Sequence, residues 1–150
     1  MSRLRVFLDS CVLIEGLACP WSNSHGLLIL GRSLFTIILA EIVQEETERA
    51  LHRKLQTGYR GDLLGDYRRL MQRLVVERVP HVSRQEFEQA RPWIRHQNDV
   101  PVLAAAVQAK PDWLLTDNTS DGHFDATASE RTGIRFATPK GFLARLRPSP

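Results

Sequence analysis

The sequence predicts an α/β fold, a three-layer α/β/α arrangement around a central, mainly parallel sheet. Three observations predict it. Short runs rich in Val, Ile, Leu and Phe recur along the 150 residues. Stretches with helical spacing separate those runs. Strands separated in this way are joined by crossovers, which is how parallel pairing is built.

Arg5–Leu8 is the first expected strand. Val12–Leu17 starts a helix, which Pro20 and the residues after it break, with Ser24 as the expected N-cap of the next helix, His25–Arg32. Phe35–Leu39 is β-branched and apolar, a strand buried on both faces. Glu41–Lys54 carries strong helix formers, with Ile42, Val43, Ala50 and Leu51 on one stripe. Gly58 and Gly61 mark a turn, and Asp62–Leu74 is a further helix with Leu63, Tyr67, Leu70 and Leu74 at helical spacing. Val75–Val79 is a strand stopped by Pro80. Ser83–Ile94 opens on a capping box, Ser83 with Glu86, and Pro92 should end or kink it. Asp99–Lys110 is a strongly apolar helix, Trp113–Thr116 the next strand and Ile134–Ala137 the last. A helix from Pro139 to Leu146 closes the chain, with proline in its first turn. Residues 1–150 read as one domain, without repeat or linker, long enough for a real core.

Composition sets the class. With 43% hydrophobic and 25% charged residues the chain reads as a soluble globular protein with no membrane span. Asp9 and Glu15 interrupt the apolar stretch after Arg3 and Arg5, which argues against a secretory leader and for a cytoplasmic protein. Cys11 and Cys19 are then expected as reduced, partly buried thiols. The net charge of +3 is modest, but Arg49–Arg78 holds eight Arg or Lys against three acids. Such a run is either a solvated helical face or a phosphate-binding surface, and Arg68, Arg69 and Arg73 are its candidates for substrate binding. Tyr59, Tyr67 and Trp21 are candidates to stack on bases, although the spacing of Tyr67 favours the core.

The acids fall where a ligand would. In an open parallel sheet, ligands bind beyond the carboxyl ends of the strands. Asp9 follows the first strand; Glu41, Glu45 and Glu46 open the helix after the second. Asp117, Asn118 and Asp121 follow Trp113–Thr116, and Asp99 opens the apolar helix before that strand. Each acid alone could cap a helix or shape a turn. Together they crowd negative charge at one end of the sheet, which protonation or a bound cation must relieve. With oxygen-only donors and no histidine in these segments, Mg2+ or Mn2+ is the expected ion rather than zinc.

These residues resemble a family. LDSCVLI, at Leu8–Ile14, is similar to the first motif of the PIN-domain nucleases. The stretch from Asp99 to Asn118, DVPVLAAAVQAKPDWLLTDN, resembles the family's third-acid helix and the strand leading to its fourth acid. FATPKGFL resembles its C-terminal ending. The resemblance implies a PIN-like fold with Asp9, Glu45, Asp99 and Asp117 as catalytic acids, Glu41 and Glu46 being alternatives to Glu45. It implies Asp9, Asp99 and Asp117, with Asp121 close behind, as metal ligands, and Ser10 and Thr116 as hydrogen-bonding neighbours at the site. Three positions depart from the family pattern: Cys11 stands where asparagine is common, His96 where aspartate is, and Leu39 or Ala40 where serine is.

The function implied is an endoribonuclease dependent on Mg2+ or Mn2+, acting on RNA, with the setting of a VapC-like toxin. In that setting the partners are a cognate antitoxin and a second copy in a homodimer. A different class, a catalytically weak RNA-binding or scaffold domain, is the alternative that Cys11 and His96 leave open. A phosphotransferase that starts from an aspartate after the first strand ranks last, since it needs a second aspartate where Cys11 stands.

Overall fold

The structure, a computed structural model, describes residues 3–56, 61–74 and 76–146. Five parallel strands form one sheet in the order β3-β2-β1-β4-β5. They are β1 (Leu4–Leu8), β2 (Phe35–Ala40), β3 (Val76–Val79), β4 (Trp113–Leu115) and β5 (Arg135–Ala137). Each expected strand is present, within a residue or two at its ends. Gly58, Tyr59 and Val75 lie outside the described residues.

Central position explains the apolar strands. β1 pairs with β2 on one side (Val6 opposite Ile37) and with β4 on the other (Val6 opposite Trp113). Val6, Phe7 and Leu8 are therefore fully buried, as are Ile38, Leu39 and Leu114. A strand covered on both faces has no polar side to show, so its sequence runs continuously apolar.

Eight α-helices among the described residues fill the crossovers: α1 (Ser10–Ala18), α2 (Asn23–Leu30), α3 (Glu41–Gln56), α4 (Leu63–Arg73), α5 (Arg84–Ala90), α6 (Val100–Ala109), α7 (Ala126–Thr132) and α8 (Pro139–Leu146). Helices α1, α2, α3 and α4 pack on one another, α5 packs on α6, and α8 returns against α2. With right-handed crossovers, a walk outward from β1 to β3 and then back across to β4 and β5 puts these groups on opposite faces. The result is the expected three-layer α/β/α fold.

Local chemistry explains the boundaries; one expectation needs correction, and a second element was not foreseen. Ser22, not Ser24, caps α2: its hydroxyl accepts from the His25 amide, and Ser24 is buried inside the helix. The start of the helix shifts because a capping residue must itself be extended, as Ser22 is. The second is α7, seven residues that show no apolar stripe beyond Ala128. Its ends are nonetheless well signed, by the Asp125 side chain accepting from Ala128 and by Gly133 at φ 75°. The capping box at Ser83 and Glu86 forms as expected, and Pro92 converts the end of the helix into a 3-10 turn at Arg91–Trp93. Gly16 lets α1 and α2 approach closely, since a Cβ there would meet the Ser24 carbonyl at 3.3 Å.

Candidate metal and nucleic-acid site

The strand order reverses between β1 and β4, and a crevice opens there beyond their carboxyl ends. Register decides what meets in it. Leu8 sits opposite Leu115, and the ladder continues for one more step, with the Asp9 amide donating to the Leu115 carbonyl at 3.0 Å. Asp9 and Thr116 are thus brought side by side. The Thr116 hydroxyl, fully buried, donates to Asp9 Oδ2 at 2.8 Å, and the Ser10 amide donates to Oδ1 at 2.8 Å.

Asp9, Glu46, Asp99 and Asp117 line one open cavity of about 470 Å³, together with Asn98 and Asn118. Three of the four acids expected at the site therefore meet. The fourth place is taken by Glu46, one of the two alternatives, rather than by Glu45. Glu45 stands half-exposed outside the cavity, 2.7 Å from His81 Nε2, with Glu41 3.5 Å from the same nitrogen. Helical phase is the reason. Val43, Thr47 and Leu51 are fully buried and fix the inward face of α3, so Glu46 borders the core and Glu45 points to the rim. The Ser10 hydroxyl donates to Glu46 Oε2 at 3.2 Å and ties α3 to the start of α1.

Asp121 is the other departure. It lies outside this cavity, exposed and 3.4 Å from Arg95. Arg68, Arg69 and Arg73 do not line the cavity either; Arg69 is held by Asp66 at 2.6 Å, with Asp62 at 3.9 Å. Tyr67 is buried with Leu51 and Leu63, and Trp21 is exposed.

A histidine from outside the acid-bearing segments joins the acids. His123 Nδ1 lies 2.7 Å from Asp99 Oδ2 and 2.9 Å from the Asn118 side-chain Nδ2. With its proton on Nδ1 the ring donates to the Asp99 carboxylate. The ring also stacks on His96, centroid to centroid at 3.7 Å. Asp99 does not serve as a side-chain cap, since it makes no capping bond to α6.

The electrostatics follow from this crowding. Burial pushes the Asp9 carboxyl above its ordinary range, and Asp99 adds to the rise against the opposing Thr116 and Ser10 bonds. Glu46 is raised by burial and then by Asp9, with Asp99 contributing. Glu15, which does not line the cavity, is raised by burial and then by Asp117. It lies four residues after Cys11 and so on the same side of α1, the side that meets Asp117. The Cys11 thiol, against Thr116 at 3.6 Å and accepting from the Asp117 amide at 3.5 Å, is pushed up to about 11 by burial and Asp9. It is a neutral thiol, and both cysteines are free.

Hard oxygen donors that repel one another suit a divalent cation of the Mg2+ or Mn2+ kind. Among the described residues, however, no three His, Cys, Asp or Glu side chains are gathered tightly enough to hold an ion as they stand. No described helix is long and apolar enough to cross a membrane.

Comparison with known proteins agrees with this architecture. No curated protein has a significantly similar sequence. Among the solved structures that share the fold are the following three. PAE2754 from Pyrobaculum aerophilum has a TM-score of 0.61 at 16% identity, over 95% of this chain and 89% of that one. VapBC2 from Rickettsia felis, solved bound to a DNA fragment from its promoter, has a TM-score of 0.64 at 14% identity, over 90% and 98%. FitAcB from Neisseria gonorrhoeae has a TM-score of 0.50 at 17% identity, over 90% and 98%. The family model of the PIN domain matches residues 5–120, which span every acid that lines the cavity, and the chain belongs to that family.

Proposed function

We propose that this PIN domain is a metal-dependent endoribonuclease that hydrolyses RNA phosphodiester bonds. The observation that carries the reading is the meeting of Asp9, Glu46, Asp99 and Asp117 in one open cavity at the switch point of the sheet. Their donor chemistry fits Mg2+ or Mn2+, which would supply water activation and charge neutralisation at a phosphoryl oxygen.

The chain's own residues hold and aim the acids. Thr116 and Ser10 fix the two oxygens of Asp9, His123 fixes Asp99, and the Ser10 hydroxyl steadies Glu46. Asn98 and Asn118 offer amide groups to a substrate at the cavity wall. Asp121, Arg68, Arg69 and Arg73 stand outside it. For the arginines of α4 we retain a longer-range role, attraction of the strand toward the site.

A toxin role, with a cognate antitoxin as partner, a homodimeric state and a cytoplasmic setting, completes the proposal. It is supported by the likeness to VapBC2 and FitAcB. A non-catalytic RNA-binding domain is the second reading, and one observation favours it: as they stand, no three of these acids are gathered to share an ion.

The test is cleavage of single-stranded RNA by purified protein with Mg2+ or Mn2+, with and without EDTA, beside DNA of the same sequence. Metal-dependent cleavage that Asp99→Asn reduces by orders of magnitude upholds the nuclease. RNA binding without metal-dependent cleavage upholds the second reading.

A further inference from the structure

A second polar cavity, of about 360 Å³, adjoins the acid-walled one. Consecutive residues form the wall between them: Arg95 and Gln97 face the second cavity, Asn98 and Asp99 the first. The loop after β4 divides in the same way, with Asp117 and Asn118 on the acid side and Asp121 and Asp125 on the other. His96 and His123 stack within this ridge, and the Gly122 carbonyl accepts from the His96 amide at 2.9 Å.

Three arginines line the second cavity: Arg91, Arg95 and Arg131. Arg91 opens the 3-10 turn after α5 and Arg95 follows four residues on, while Arg131 comes from α7, so the fold brings a distant arginine to a pair close in sequence. Arg131 Nη1 donates to the Pro92 carbonyl at 2.7 Å, which anchors it against the 3-10 turn. The acids nearby hold the arginines loosely. Asp121 meets Arg95 at 3.4 Å, with their side chains 86% and 75% exposed. Glu88 meets Arg91 at 3.3 Å, both about half exposed. Exposed pairs of this kind contribute little. Asp125 is otherwise engaged, accepting from the amides of Ala128 and Gly122.

We infer that the Arg91, Arg95 and Arg131 cavity is a phosphate subsite, which grips a backbone phosphate flanking the one at the acids, with Asp121 as the internal anion that occupies Arg95 until the strand arrives. The inference rests on the nuclease reading for the identity of the strand. A guanidinium fork matches two phosphate oxygens, and a phosphodiester brings the same charge as a carboxylate with more acceptor atoms. The subsite explains why the acid cavity, which repels a polyanion, can sit beneath a strand at all: attraction is supplied next door. It also gives Asp121 a task other than holding a metal.

The experiment measures binding of a fluorescein-labelled single-stranded RNA of twelve nucleotides by anisotropy, in EDTA so that no cleavage occurs, at several salt concentrations. Arg91→Ala with Arg95→Ala should weaken binding severalfold and lower the salt slope by about 0.7 for each phosphate no longer neutralised. Arg95→Lys should retain most of the slope, since it keeps the charge. Asp121→Asn should tighten binding, a gain that a structural defect would not give. Circular dichroism melts establish that each variant folds. Unchanged affinity and slope in the double alanine variant, weaker binding by Asp121→Asn, or a wild type that does not bind the strand would each overturn the subsite. Cleavage assays on the same variants separate the two readings. Cleavage that persists with indifferent arginines sinks the subsite alone. Arginine-dependent binding without any metal-dependent cleavage sinks the nuclease and leaves the subsite standing.

Discussion

Thr116 donates its hydroxyl hydrogen to the Asp9 carboxylate at 2.8 Å, across the seam where β1 and β4 end. The two residues stand 107 positions apart in the chain. The bond opposes the upward push that burial gives Asp9, so it sets how readily that acid carries charge. The same hydroxyl oxygen accepts from the Asn118 amide at 3.1 Å.

Thr116→Val keeps the shape and removes both bonds. The folded state should lose about 1–3 kcal/mol, the range for a buried partner left unmade. The Asp9 carboxyl should also rise further. Urea unfolding measures the first effect and carbon-detected NMR titration of Asp9 the second. An Asp9 titration identical to wild type would show that the hydroxyl does not hold the acid.

Asp9→Asn should raise the melting temperature of the metal-free protein, because one of the mutually repelling charges is gone. Mn2+ should raise the melting temperature of the wild type by mass action on the folded state and do so much less in the variant. Scanning fluorimetry in EDTA and in Mn2+ reads both. If neither temperature moves, the acids do not share an ion.

Glu46→Gln and Glu45→Gln form a matched pair on adjacent positions of α3. Loss of Glu46 should cut metal-dependent cleavage at least tenfold and shrink the Mn2+ stabilisation. Loss of Glu45 should leave cleavage within about twofold, since that residue is engaged with His81 at the rim. The reverse ranking would return the second acid to Glu45.

Asp125 gives a pH dependence whose sign is fixed. Its carboxyl is held below the ordinary range by the amides of Ala128 and Gly122. A depressed acid contributes stability that is complete above its unfolded value and is lost as pH falls through the folded one. Asp125→Ala should therefore cost about 1 kcal/mol near neutral pH, as for other N-cap losses, and less and less in acid. Denaturant melts of wild type and variant, run from neutral pH into acid, should converge at the acid end; parallel curves would contradict the cap.

Much of the fold was legible because burial on both faces leaves a strand no choice of residue type. Val6–Leu8 and Ile37–Leu39 could hardly be anything else. Asp9, Asp99 and Asp117 were legible as a set, since each follows or precedes a strand on the same end of the sheet. Glu46 was legible too, in a way that motif alignment obscured. Ile42, Glu46 and Ala50 are spaced by four, along the border of the inward face that Val43, Thr47 and Leu51 form on α3, whereas Glu45 is about a hundred degrees further round the helix from that face. His123 was not legible: it reaches Asp99 through a loop whose path depends on the Gly122 backbone at φ 88°, and no periodicity records a loop. α7 escaped for a related reason. Short helices with one buried residue are specified by their ends, and here those ends are Asp125 and Gly133.

The pairing of β1 with β4 has a consequence for when the protein can act. Residues 4–8 are synthesised long before one of their two partner strands, which begins at Trp113. The β1–β2 pair and its helices can form while the chain is still emerging, since they are close in sequence by comparison. Closing the long loop to β4 comes late and is slow, because its entropy must be met before the pairing rewards it. A nascent chain halted before Trp113 would carry Asp9 and Glu46 beside an unfilled sheet edge, with no walled cavity between them. Whatever the acids do, they acquire the ability together, once β4 and Asp117 have joined the sheet, so a partly made chain does not carry a half-built version of the chemistry.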